Sequence, residues 1–341
     1  MQTQASVALS AYTTLQLGGP ARALVTANDE DEIVEAVRAA DGPVLVLGGG
    51  SNVVVSDDGF PGTVVRIASR GREVSRDGDE VLLEVAAGEE WDDLVTWCVD
   101  EQLSGVECLA GIPGLVGATP IQNVGAYGQD VSETVVAVRA YDRDADEVRT
   151  VVDCGFSYRN SLFKAQSPRW VVLSVTYRLT HGRSRPVRYA ELARALGVEV
   201  GDTAPLAQVR DAVLSLRRGK GMVLDPQDSD TRSAGSFFTN PLLRPEQVAE
   251  LRARGLDPPS YADASGLVKV PAAWLIEQAG FAKGDFDGPA GISSKHALAL
   301  VNRGGARTDD LIRVARTIRD RVHERFGVEL VPEPVLVGVQ L

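Results

Sequence analysis

The sequence has very few of the residues that cross-link a chain or hold a metal. Only 3 cysteines and 3 histidines occur in 341 residues. Cys98, Cys108 and Cys154 are far apart and form neither a Cys-x-x-Cys motif nor a cluster with histidine. Disulfide frameworks and structural zinc sites both require such pairs or clusters. The scarcity therefore argues against both, predicts no metal site, and indicates a reducing compartment.

The sequence also lacks a basic stripe and a long apolar run. The net charge is −12, with acidic and basic residues interspersed, so a nucleic-acid surface is not expected. No run is long enough to span a bilayer, and the N-terminus lacks a basic region followed by an apolar core. With 44% hydrophobic residues, the composition indicates a globular chain of two or three domains, which we expect to be cytoplasmic and independent of a membrane.

The most unusual stretch is a glycine-rich segment, Gly111–Gly128, with the sequence GIPGLVGATPIQNVGAYG. It shows neither a helical nor a strand period. Glycine lets a ligand approach the main chain closely, so one interpretation is a cradle of main-chain N–H groups for a pyrophosphate. Gln122 and Asn123 would add side-chain donors. The alternative is a tight bend that is buried for packing, and composition alone does not separate the two.

A second glycine-rich stretch, Gly48–Asn52, reads GGGSN and lies between two apolar runs. It lacks the Gly-Lys-Ser/Thr ending of a P-loop. It also lacks a Rossmann fingerprint, because Val53 stands where the third glycine is needed and a strand follows. A hairpin turn is the simple interpretation, yet three consecutive glycines exceed what a two-residue turn requires. A second main-chain cradle is at least as consistent with the pattern.

Hydrophobic periodicity predicts an α+β fold rather than a repeated βαβ fold. A helix is expected after the cap Asn28, and another at Glu89–Leu103. The remaining predictions are strands at 43–47, 63–67, 81–85 and 170–179, a hairpin of 134–141 with 147–152, helices at 245–254, 272–279 and 309–326, and a C-terminal strand at 328–339.

Three separate residues are candidates for chemistry. Arg159 lies in Tyr-Arg-Asn-Ser, where it is either a surface arginine with a packed stem or a bidentate clamp on a carboxylate. Ser236, before two phenylalanines, is either a strand start or a proton donor. Glu333, in the C-terminal apolar run, either points to solvent or is held in a site, since an unpaired buried acid is costly.

Six motifs in order resemble one family, the UDP-N-acetylenolpyruvoylglucosamine reductases, over nearly the whole chain. They are Gly48-Gly49-Gly50-Ser51-Asn52, Ile112-Pro113-Gly114, Pro120-Ile121-Gln122-Asn123-Val124-Gly125-Ala126-Tyr127-Gly128, Tyr158-Arg159-x-Ser161, Gly235-Ser236-Phe237-Phe238-x-Asn240-Pro241 and Pro332-Glu333. The resemblance implies an α+β, three-domain flavoprotein. It would have a vanillyl-alcohol-oxidase-type (PCMH-like) two-part FAD-binding region and a C-terminal α+β substrate domain.

The resemblance also implies domain bounds and a site. Residues 1–68 and 69–218 would be the two FAD-binding subdomains, with 328–341 returning to the first, and 219–327 would bind substrate. The implied catalytic residues are Arg159, Ser236 and Glu333, and the implied substrate contacts are Tyr158, Tyr189, Lys220 and Asn240. The implied FAD contacts are Gly48, Gly49, Gly50, Ser51, Asn52, Ile112, Pro113, Gly114, Thr119, Pro120, Gln122, Asn123, Gly125, Ala126 and Tyr127.

The implied reaction is an NADPH-dependent UDP-N-acetylmuramate dehydrogenase activity in peptidoglycan precursor synthesis. NADPH would reduce FAD, and flavin N5 would deliver a hydride to the enolpyruvyl double bond of a UDP-sugar. Arg159 and Glu333 would stabilise the enolate, with a raised pKa for Glu333, and Ser236 would supply the proton. A monomer is expected. The rival interpretations are another FAD oxidoreductase of the same fold and a non-catalytic nucleotide-sugar-binding protein.

Overall fold

The computed structural model describes residues 1–78, 80–263 and 265–341. Helices and strands are mixed along the chain, so the predicted α+β class is confirmed. The chain forms two compact units. Unit 1 comprises residues 1–7, 21–49 and 61–223, and unit 2 comprises residues 8–20, 50–60 and 224–341. Each unit has its own hydrophobic core. The division into three domains at 68/69 and 218/219 remains a prediction.

The described residues form eight α-helices. These are α1 (Glu30–Arg38), α2 (Trp91–Asp100), α3 (Leu162–Ala165), α4 (Ala190–Leu196), α5 (Leu206–Gly219), α6 (Pro245–Ala253), α7 (Ala272–Gln278) and α8 (Thr308–Phe326).

The same residues form twenty strands, several of them only two residues long. These are β1 (Gln2–Ala8), β2 (Pro20–Ala27), β3 (Val44–Leu47), β4 (Val53–Val55), β5 (Phe60–Ile67), β6 (Arg72–Asp77), β7 (Glu80–Ala86), β8 (Leu103–Ser104), β9 (Gly125–Ala126), β10 (Gln129–Asp130), β11 (Val135–Asp142), β12 (Glu147–Val151), β13 (Trp170–His181), β14 (Ser233–Ser236), β15 (Leu242–Leu243), β16 (Tyr261–Ala262), β17 (Val268–Lys269), β18 (Ala290–Ile292), β19 (Ala299–Asn302) and β20 (Val335–Val337).

Unit 1 is built on two sheets. The first has the strand order β1-β2-β5-β3, and β3 runs parallel to β5. The second has the order β12-β11-β13-β7-β6, with β8 paired to β13, and these pairs are antiparallel. The hairpin predicted for 134–141 with 147–152 is present as β11 and β12, and β11 extends to Asp142, which pairs with Glu147.

Local sequence explains the helices of unit 1. The side chain of Asp29 accepts a hydrogen bond from the N–H of Glu32 at 2.8 Å, and three acidic residues follow in the first turn of α1. The predicted cap Asn28 is therefore wrong by one residue. Asn28 instead donates to the Glu32 carboxylate, which leaves Asp29 with the extended backbone of the cap. Helix α2 lies within the range predicted for a helix, 89–103, and its buried face contains Trp91, Leu94, Val95, Cys98 and Val99.

Unit 2 contains three small sheets and the long helix α8. The sheets have the orders β14-β19-β18, β15-β17-β16 and β20-β4. The side chain of Asp57 accepts hydrogen bonds from the main-chain N–H groups of Thr308 and Asp309, and so satisfies two donors at the start of α8. The helix ends where Gly327 adopts a left-handed φ of 68°.

The predicted C-terminal strand at 328–339 is wrong in extent. Only Val335–Val337 forms a strand, and it pairs in parallel with Val53–Val55. Pro332 and Pro334 lack the N–H group that a continuous ladder requires, so the main chain before Val335 makes only an isolated bridge. Strand β1 was not predicted, and its side chains are largely exposed, which removes the periodic signal.

Several chemical features of the described residues limit what the protein can do. None of the three cysteines forms a disulfide, and all three are buried. Burial raises the pKa of Cys98 to about 12 and that of Cys154 to about 11, so these thiols are protonated at neutral pH. No group of three or more metal-ligating side chains is found in residues 1–78, 80–263 and 265–341. Over the same ranges, no helix combines the length and apolarity needed to cross a bilayer.

Candidate active site

The two glycine-rich segments approach each other within unit 1. A Cβ atom placed on Gly49 would lie 2.9 Å from the Cα of Gly114, closer than real Cβ atoms come to backbone. A Cβ on Gly48, by contrast, would meet only the side chain of Leu115, at 3.6 Å. In the same way, a Cβ on Gly117 would lie 2.5 Å from the Cβ of Ala87. The glycines therefore allow main chain to pack on main chain, as a close backbone cradle requires.

The loop Gly48–Asn52 runs from unit 1 into unit 2 between Gly49 and Gly50. Gly50 has a left-handed φ of 62°, and a Cβ there would lie 1.9 Å from the carbonyl oxygen of Tyr12. No other residue fits this position. Farther along, the Asn52 carbonyl accepts a hydrogen bond from the N–H of Val335, which fixes the loop to β20.

Two polar side chains of the Gly111–Gly128 segment form hydrogen bonds with other residues of the protein. The hydroxyl groups of Thr119 and Tyr177 lie 2.8 Å apart in the core. The buried amide of Asn123 donates to the carbonyl of Ser157 and accepts from the N–H of Ser132. Both residues therefore shape the segment through their side chains. Asn123 and Tyr127 also adopt left-handed φ values of 46° and 51°, so the main chain is sharply bent.

The chemistry of these segments fits the dinucleotide that the resemblance implies. A pyrophosphate needs N–H donors on a main chain that it can approach closely, and glycine is the residue that permits this approach. Gly49 and Gly114 bring two stretches of main chain without side chains next to each other, and Gly49 is exposed. Next to β9, the Nε2 atom of Gln129 is buried with no hydrogen-bond partner among the described residues, and its Oε1 accepts from the N–H of Cys108. An additional acceptor would satisfy that nitrogen.

Arg159 is held against the end of the Gly111–Gly128 segment. Its Nη2 donates to the carbonyl of Gly125 at 2.6 Å, and its Nη1 donates to that of Asn123 at 3.2 Å. The guanidinium carbon lies 5.6 Å from the centre of the Tyr158 ring. Arg159 has a left-handed φ of 53°, which is uncommon away from glycine and is often found at functional sites. These contacts favour a fixed arginine over a surface arginine.

Ser161 holds the loop that contains Arg159 through hydrogen bonds of its side chain. Its hydroxyl donates to the carbonyl of Ile121 at 2.5 Å and accepts from the N–H of Lys164, so it also caps α3. The Nζ of Lys164 in turn donates to the carbonyl of Arg159 at 3.0 Å. The position of Arg159 is therefore set by hydrogen bonds on both sides of it.

A polar and aromatic cluster lies at the far end of the glycine-rich segment. The rings of Tyr127 and Tyr189 meet edge to face, with centroids 5.8 Å apart. The Nζ of Lys220 lies 5.6 Å from the centre of the Tyr127 ring and pairs with the Glu191 carboxylate at 2.7 Å. Burial raises the pKa of the Tyr127 phenol, although Lys220 opposes the shift. Unit 1 thus brings together Tyr127, Tyr189 and Lys220, which were predicted separately.

A main-chain hydrogen bond in unit 2 joins Glu333 to the residue that follows Ser236. The N–H of Glu333 donates to the carbonyl of Phe237, the residue after Ser236, at 2.9 Å. Phe238 and Pro332 form an antiparallel bridge beside it. The Glu333 carbonyl accepts from the Nδ2 of Asn52 at 3.4 Å. Three predicted site residues from the middle, end and start of the chain are therefore neighbours.

Ser236 ends strand β14 and pairs with Ala299, after a register irregularity that begins at Ser233. Gly235, just before it, has a left-handed φ of 73°. The rings of Phe237 and Phe238 are both 1% exposed and pack edge to face, which anchors the chain that follows. Ser236 itself is half-buried, so it is held in place while remaining partly accessible.

Asn240 follows the phenylalanines and caps helix α7. Its Oδ1 accepts a hydrogen bond from the N–H of Ala272 at 2.9 Å. The carboxamide nitrogen carries two donors, which suit a phosphate oxygen. The predicted role of Asn240 toward substrate is chemically consistent with this arrangement.

Sequence inspection missed two residues of unit 1 next to the predicted site. Arg217, in the last turn of α5, lies beneath Gly111, and burial lowers its pKa to about 10. Its Nη2 donates to the carbonyl of Met222, and its buried Nε has no partner among the described residues. Glu191 is the partner of Lys220. Arg217 lies at helical spacing from the buried Val213 and Leu214 on the apolar face of α5, so a charged residue on that face could have been noted, as could an acid two residues after Tyr189.

The predicted residues are distributed over the two units. Unit 1 contains Gly48, Gly49, Ile112, Pro113, Gly114, Thr119, Pro120, Gln122, Asn123, Gly125, Ala126, Tyr127, Tyr158, Arg159, Tyr189 and Lys220. Unit 2 contains Gly50, Ser51, Asn52, Ser236, Asn240 and Glu333. Within each unit, the contacts described above join residues that are distant in sequence.

Comparison with known proteins agrees with this arrangement. Residues 21–151 match the profile of an FAD-binding domain, and residues 225–337 match that of the UDP-N-acetylenolpyruvoylglucosamine reductase C-terminal domain. The chain is 57% identical to the UDP-N-acetylenolpyruvoylglucosamine reductase of Thermobifida fusca, over 98% of both chains. It is 58% identical to that of Salinispora arenicola, over 98% of this chain and 95% of the relative.

A solved structure gives the same result. The reductase from Thermus caldophilus, titled MurB, superposes with a TM-score of 0.67 at 27% identity and covers 98% of both chains. The fold is therefore that of an FAD-binding region followed by the C-terminal domain of these enzymes. On identities of this size over its whole length, the chain belongs to the UDP-N-acetylenolpyruvoylglucosamine reductase family.

Proposed function

We infer that this chain reduces the enolpyruvyl double bond of UDP-N-acetylglucosamine enolpyruvate and so forms UDP-N-acetylmuramate for peptidoglycan synthesis. The observation that carries this assignment is the 57% identity with a reductase of that name over 98% of both chains. FAD is the bound cofactor and NADPH is the reductant. When bound, reduced FAD supplies the hydride, and the residues of this chain bind, orient and protonate.

Arg159 is the proposed binder of the carboxylate on the reacting group. Negative charge builds next to that carboxylate as the double bond is reduced, and a preorganised cation stabilises the charge as it forms. A guanidinium has five donors, so Arg159 can bind a carboxylate in addition to the carbonyls of Asn123 and Gly125. Because both bonds restrict the guanidinium, little reorganisation is required during the reaction.

Ser236 is the proposed proton donor to the enolate carbon. A serine hydroxyl is a weak acid, so it has to be held within hydrogen-bond reach of the carbon that it protonates. Strand pairing at Ala299 and the anchor of Phe237 and Phe238 support such a fixed position. Its partial exposure allows replacement of the proton from solvent.

Glu333 is proposed to share the substrate carboxylate as a protonated acid. An ionised carboxylate there would repel the developing enolate, whereas a protonated one donates a hydrogen bond. The backbone bond from Glu333 to Phe237 supports a role near Ser236. Tyr158, Tyr189, Lys220 and Asn240 are proposed to hold the UDP-sugar, with Lys220 and Asn240 at its phosphates.

The proposed FAD contacts are Gly48–Asn52, Ile112–Gly114, Thr119, Pro120, Gln122, Asn123, Gly125, Ala126 and Tyr127. Thr119 and Asn123 would act there through the main chain, because their side chains have partners within the protein. We further propose that the enzyme works in the cytoplasm as a monomer. Three buried, unbonded cysteines are consistent with a reducing compartment. Light scattering of the purified protein tests the monomer.

An anaerobic two-step experiment tests the function. The purified yellow protein is first reduced with NADPH, and the enolpyruvyl UDP-sugar is then added. We expect bleaching of the flavin absorbance followed by its return, with one UDP-N-acetylmuramate formed per flavin. A colourless protein would indicate a non-catalytic binding protein. In a separate aerobic assay, rapid oxygen consumption without NADPH, together with no response to the UDP-sugar in the anaerobic one, would indicate an oxidase of the same fold.

A further inference from the structure

The segment Val187–Glu191 is fastened to the end of the glycine-rich segment. The Nη1 of Arg188 donates to the carbonyl of Gly128 at 3.2 Å, and a Cβ on Gly128 would lie 2.9 Å from the Cβ of Arg188. Tyr189 meets the ring of Tyr127 edge to face. Glu191, two residues farther on, adds the ion pair to Lys220. Lys220 is thus tied to the segment that carries Tyr189.

The ion pair between Lys220 and Glu191 is short but accessible. The Nζ-to-Oε2 distance is 2.7 Å, and the side chains are 36% and 37% exposed. A pair with this exposure contributes little net stability, because water solvates both ions and salt screens them. An anion with more charge than a carboxylate can therefore replace Glu191 at Lys220 with a small cost.

We propose that Glu191 is a positioning residue that occupies the ammonium group of Lys220 until an anionic ligand displaces it. This inference rests on the proposed function, in which Lys220 binds a phosphate of the UDP-sugar. Carboxylate and phosphate oxygens use the same donors of an ammonium group, and phosphate carries the greater charge. Before substrate binds, Glu191 takes the place that the phosphate later occupies.

Displacement has a consequence for the segment that carries Tyr189. Glu191 lies in the first turn of α4, where the unpaired N–H groups at the start of a helix favour an acidic side chain. The released carboxylate therefore keeps a favourable environment. Once Lys220 bonds to phosphate, however, one of the contacts that fasten residues 187–191 is lost. Substrate binding and release of this segment are thereby coupled through a single lysine.

The test compares Glu191→Gln with the wild-type holoenzyme. Glutamine keeps the size of the side chain and removes the charge that competes with phosphate. We expect the KM for the enolpyruvyl UDP-sugar, and the Kd for UDP measured by flavin absorbance, to fall about two- to fivefold, the effect of one half-exposed ion pair. The kcat should stay close to the wild-type value, because Glu191 does not take part in the chemical step.

Two further variants make the test specific. Glu199→Gln removes the same charge from an exposed residue after α4, so it should leave KM and Kd unchanged. In a Lys220→Met background, adding Glu191→Gln should have no further effect, because the competition acts only through Lys220. If Glu191→Gln does not fold, Glu191→Asp, which shortens the side chain by one methylene, should give a smaller decrease of KM.

An unchanged or increased KM in Glu191→Gln would overturn the inference. The same decrease in Glu199→Gln, or a decrease that persists without Lys220, would overturn it as well, since the effect would then be a general one of charge. Failure of the proposed function has a different outcome: wild-type protein would not turn over the enolpyruvyl UDP-sugar. If the wild-type enzyme is active and Glu191→Gln behaves like it, only the role of Glu191 is wrong.

Discussion

Units 1 and 2 hold their candidate reactive groups by different means. In unit 1, the guanidinium of Arg159 itself bonds to the carbonyls of Asn123 and Gly125, within an irregular loop. In unit 2, the main chain holds the candidate residues in place. The N–H of Glu333 donates to the carbonyl of Phe237, and Ser236 pairs with Ala299. The side chain of Arg159 itself makes bonds that shape its loop, whereas the bonds described for Ser236 and Glu333 are those of their main chains.

This difference predicts how each region responds to substitution. In unit 2, a change of side chain removes chemistry and leaves the backbone bonds intact. In unit 1, a change at Arg159 or at a glycine alters the structure that positions the site as well as the chemistry. Four substitutions, taken from the largest expected effect to the smallest, test the contrast.

Ser236→Ala gives the largest expected effect on turnover. Loss of a positioned proton donor should slow enolpyruvate reduction roughly 10²- to 10⁴-fold. Flavin reduction by NADPH and the thermal unfolding temperature should stay near wild type, because the pairing at Ala299 is made by the main chain. Stopped-flow absorbance separates the two half-reactions. Ser260→Ala, which removes a hydroxyl from an exposed residue of unit 2, is the control, and an equal loss there would contradict the role.

Arg159→Lys should lower kcat/KM for the UDP-sugar about 10²- to 10³-fold, the cost of removing one preorganised donor to a developing anion. Lysine cannot form the fork and cannot reach both carbonyls. Unlike Ser236→Ala, this change should also lower the unfolding temperature. Arg178→Lys, at an exposed ion pair with Glu80, is the matched control. Full activity of Arg159→Lys would remove Arg159 from the site.

Gly49→Ala tests the packing of main chain on main chain in unit 1. The added Cβ would lie 2.9 Å from the Cα of Gly114, so the backbone has to shift, at a cost of about 1–3 kcal/mol for overpacking. We expect partial loss of bound FAD, measured by flavin absorbance per protein. Gly219→Ala, also in unit 1, is the control, because a Cβ there would meet nothing within 4 Å. Equal flavin content in the two variants would argue against the cradle.

Asp142→Asn tests unit 1 away from the site and should leave activity unchanged. The hydrogen bonds from Arg169 lower the pKa of the buried Asp142 to about 2. Because this folded-state pKa lies below the unfolded value of about 3.9, the stabilisation is present above that value and is lost as the pH falls toward 2. Asp142→Asn should therefore flatten the acid side of the stability profile, measured by denaturant unfolding between pH 2 and pH 5, about the range in which the carboxyl titrates.

The control for that change is Asp144→Asn, because Asp144 is 72% exposed and lies 3.6 Å from the same arginine. Its substitution should leave the acid profile as in the wild type. A flattened profile in both variants would assign the effect to net charge.

Local signals predicted much of the fold. Alternation and a turn rich in aspartate located the β11–β12 hairpin, and one apolar face with a glycine stop located α8. Local sequence patterns did not predict the features of the fold that depend on a tertiary contact or on an interrupted ladder. The helix predicted at 309–326 begins at Thr308, and its first N–H groups donate to the carboxylate of Asp57, 251 positions away in the sequence. Of the strand predicted at 328–339, only three residues form a strand in the structure, because prolines interrupt its ladder of hydrogen bonds.

For the candidate site too, the sequence predicts the motifs but not which of them are in contact. The glycine-rich segments and the Tyr-Arg, Ser-Phe-Phe and Pro-Glu motifs are visible in the sequence. The contact of Glu333 with Phe237 and the ion pair of Lys220 with Glu191 are not, because each joins positions that the chain separates. Arg217 lies on the apolar face of α5, but only the folded structure shows that its guanidinium lies beneath Gly111.

By itself, the sequence determined the α+β class, the location of the glycine-rich segments and the residue types available for chemistry, because these depend on composition and local periodicity. Only the tertiary structure decided which of those residues are neighbours. Hydrogen bonds and ion pairs act over a few ångströms in space and are indifferent to separation along the chain. Their partners are therefore set by the folded backbone.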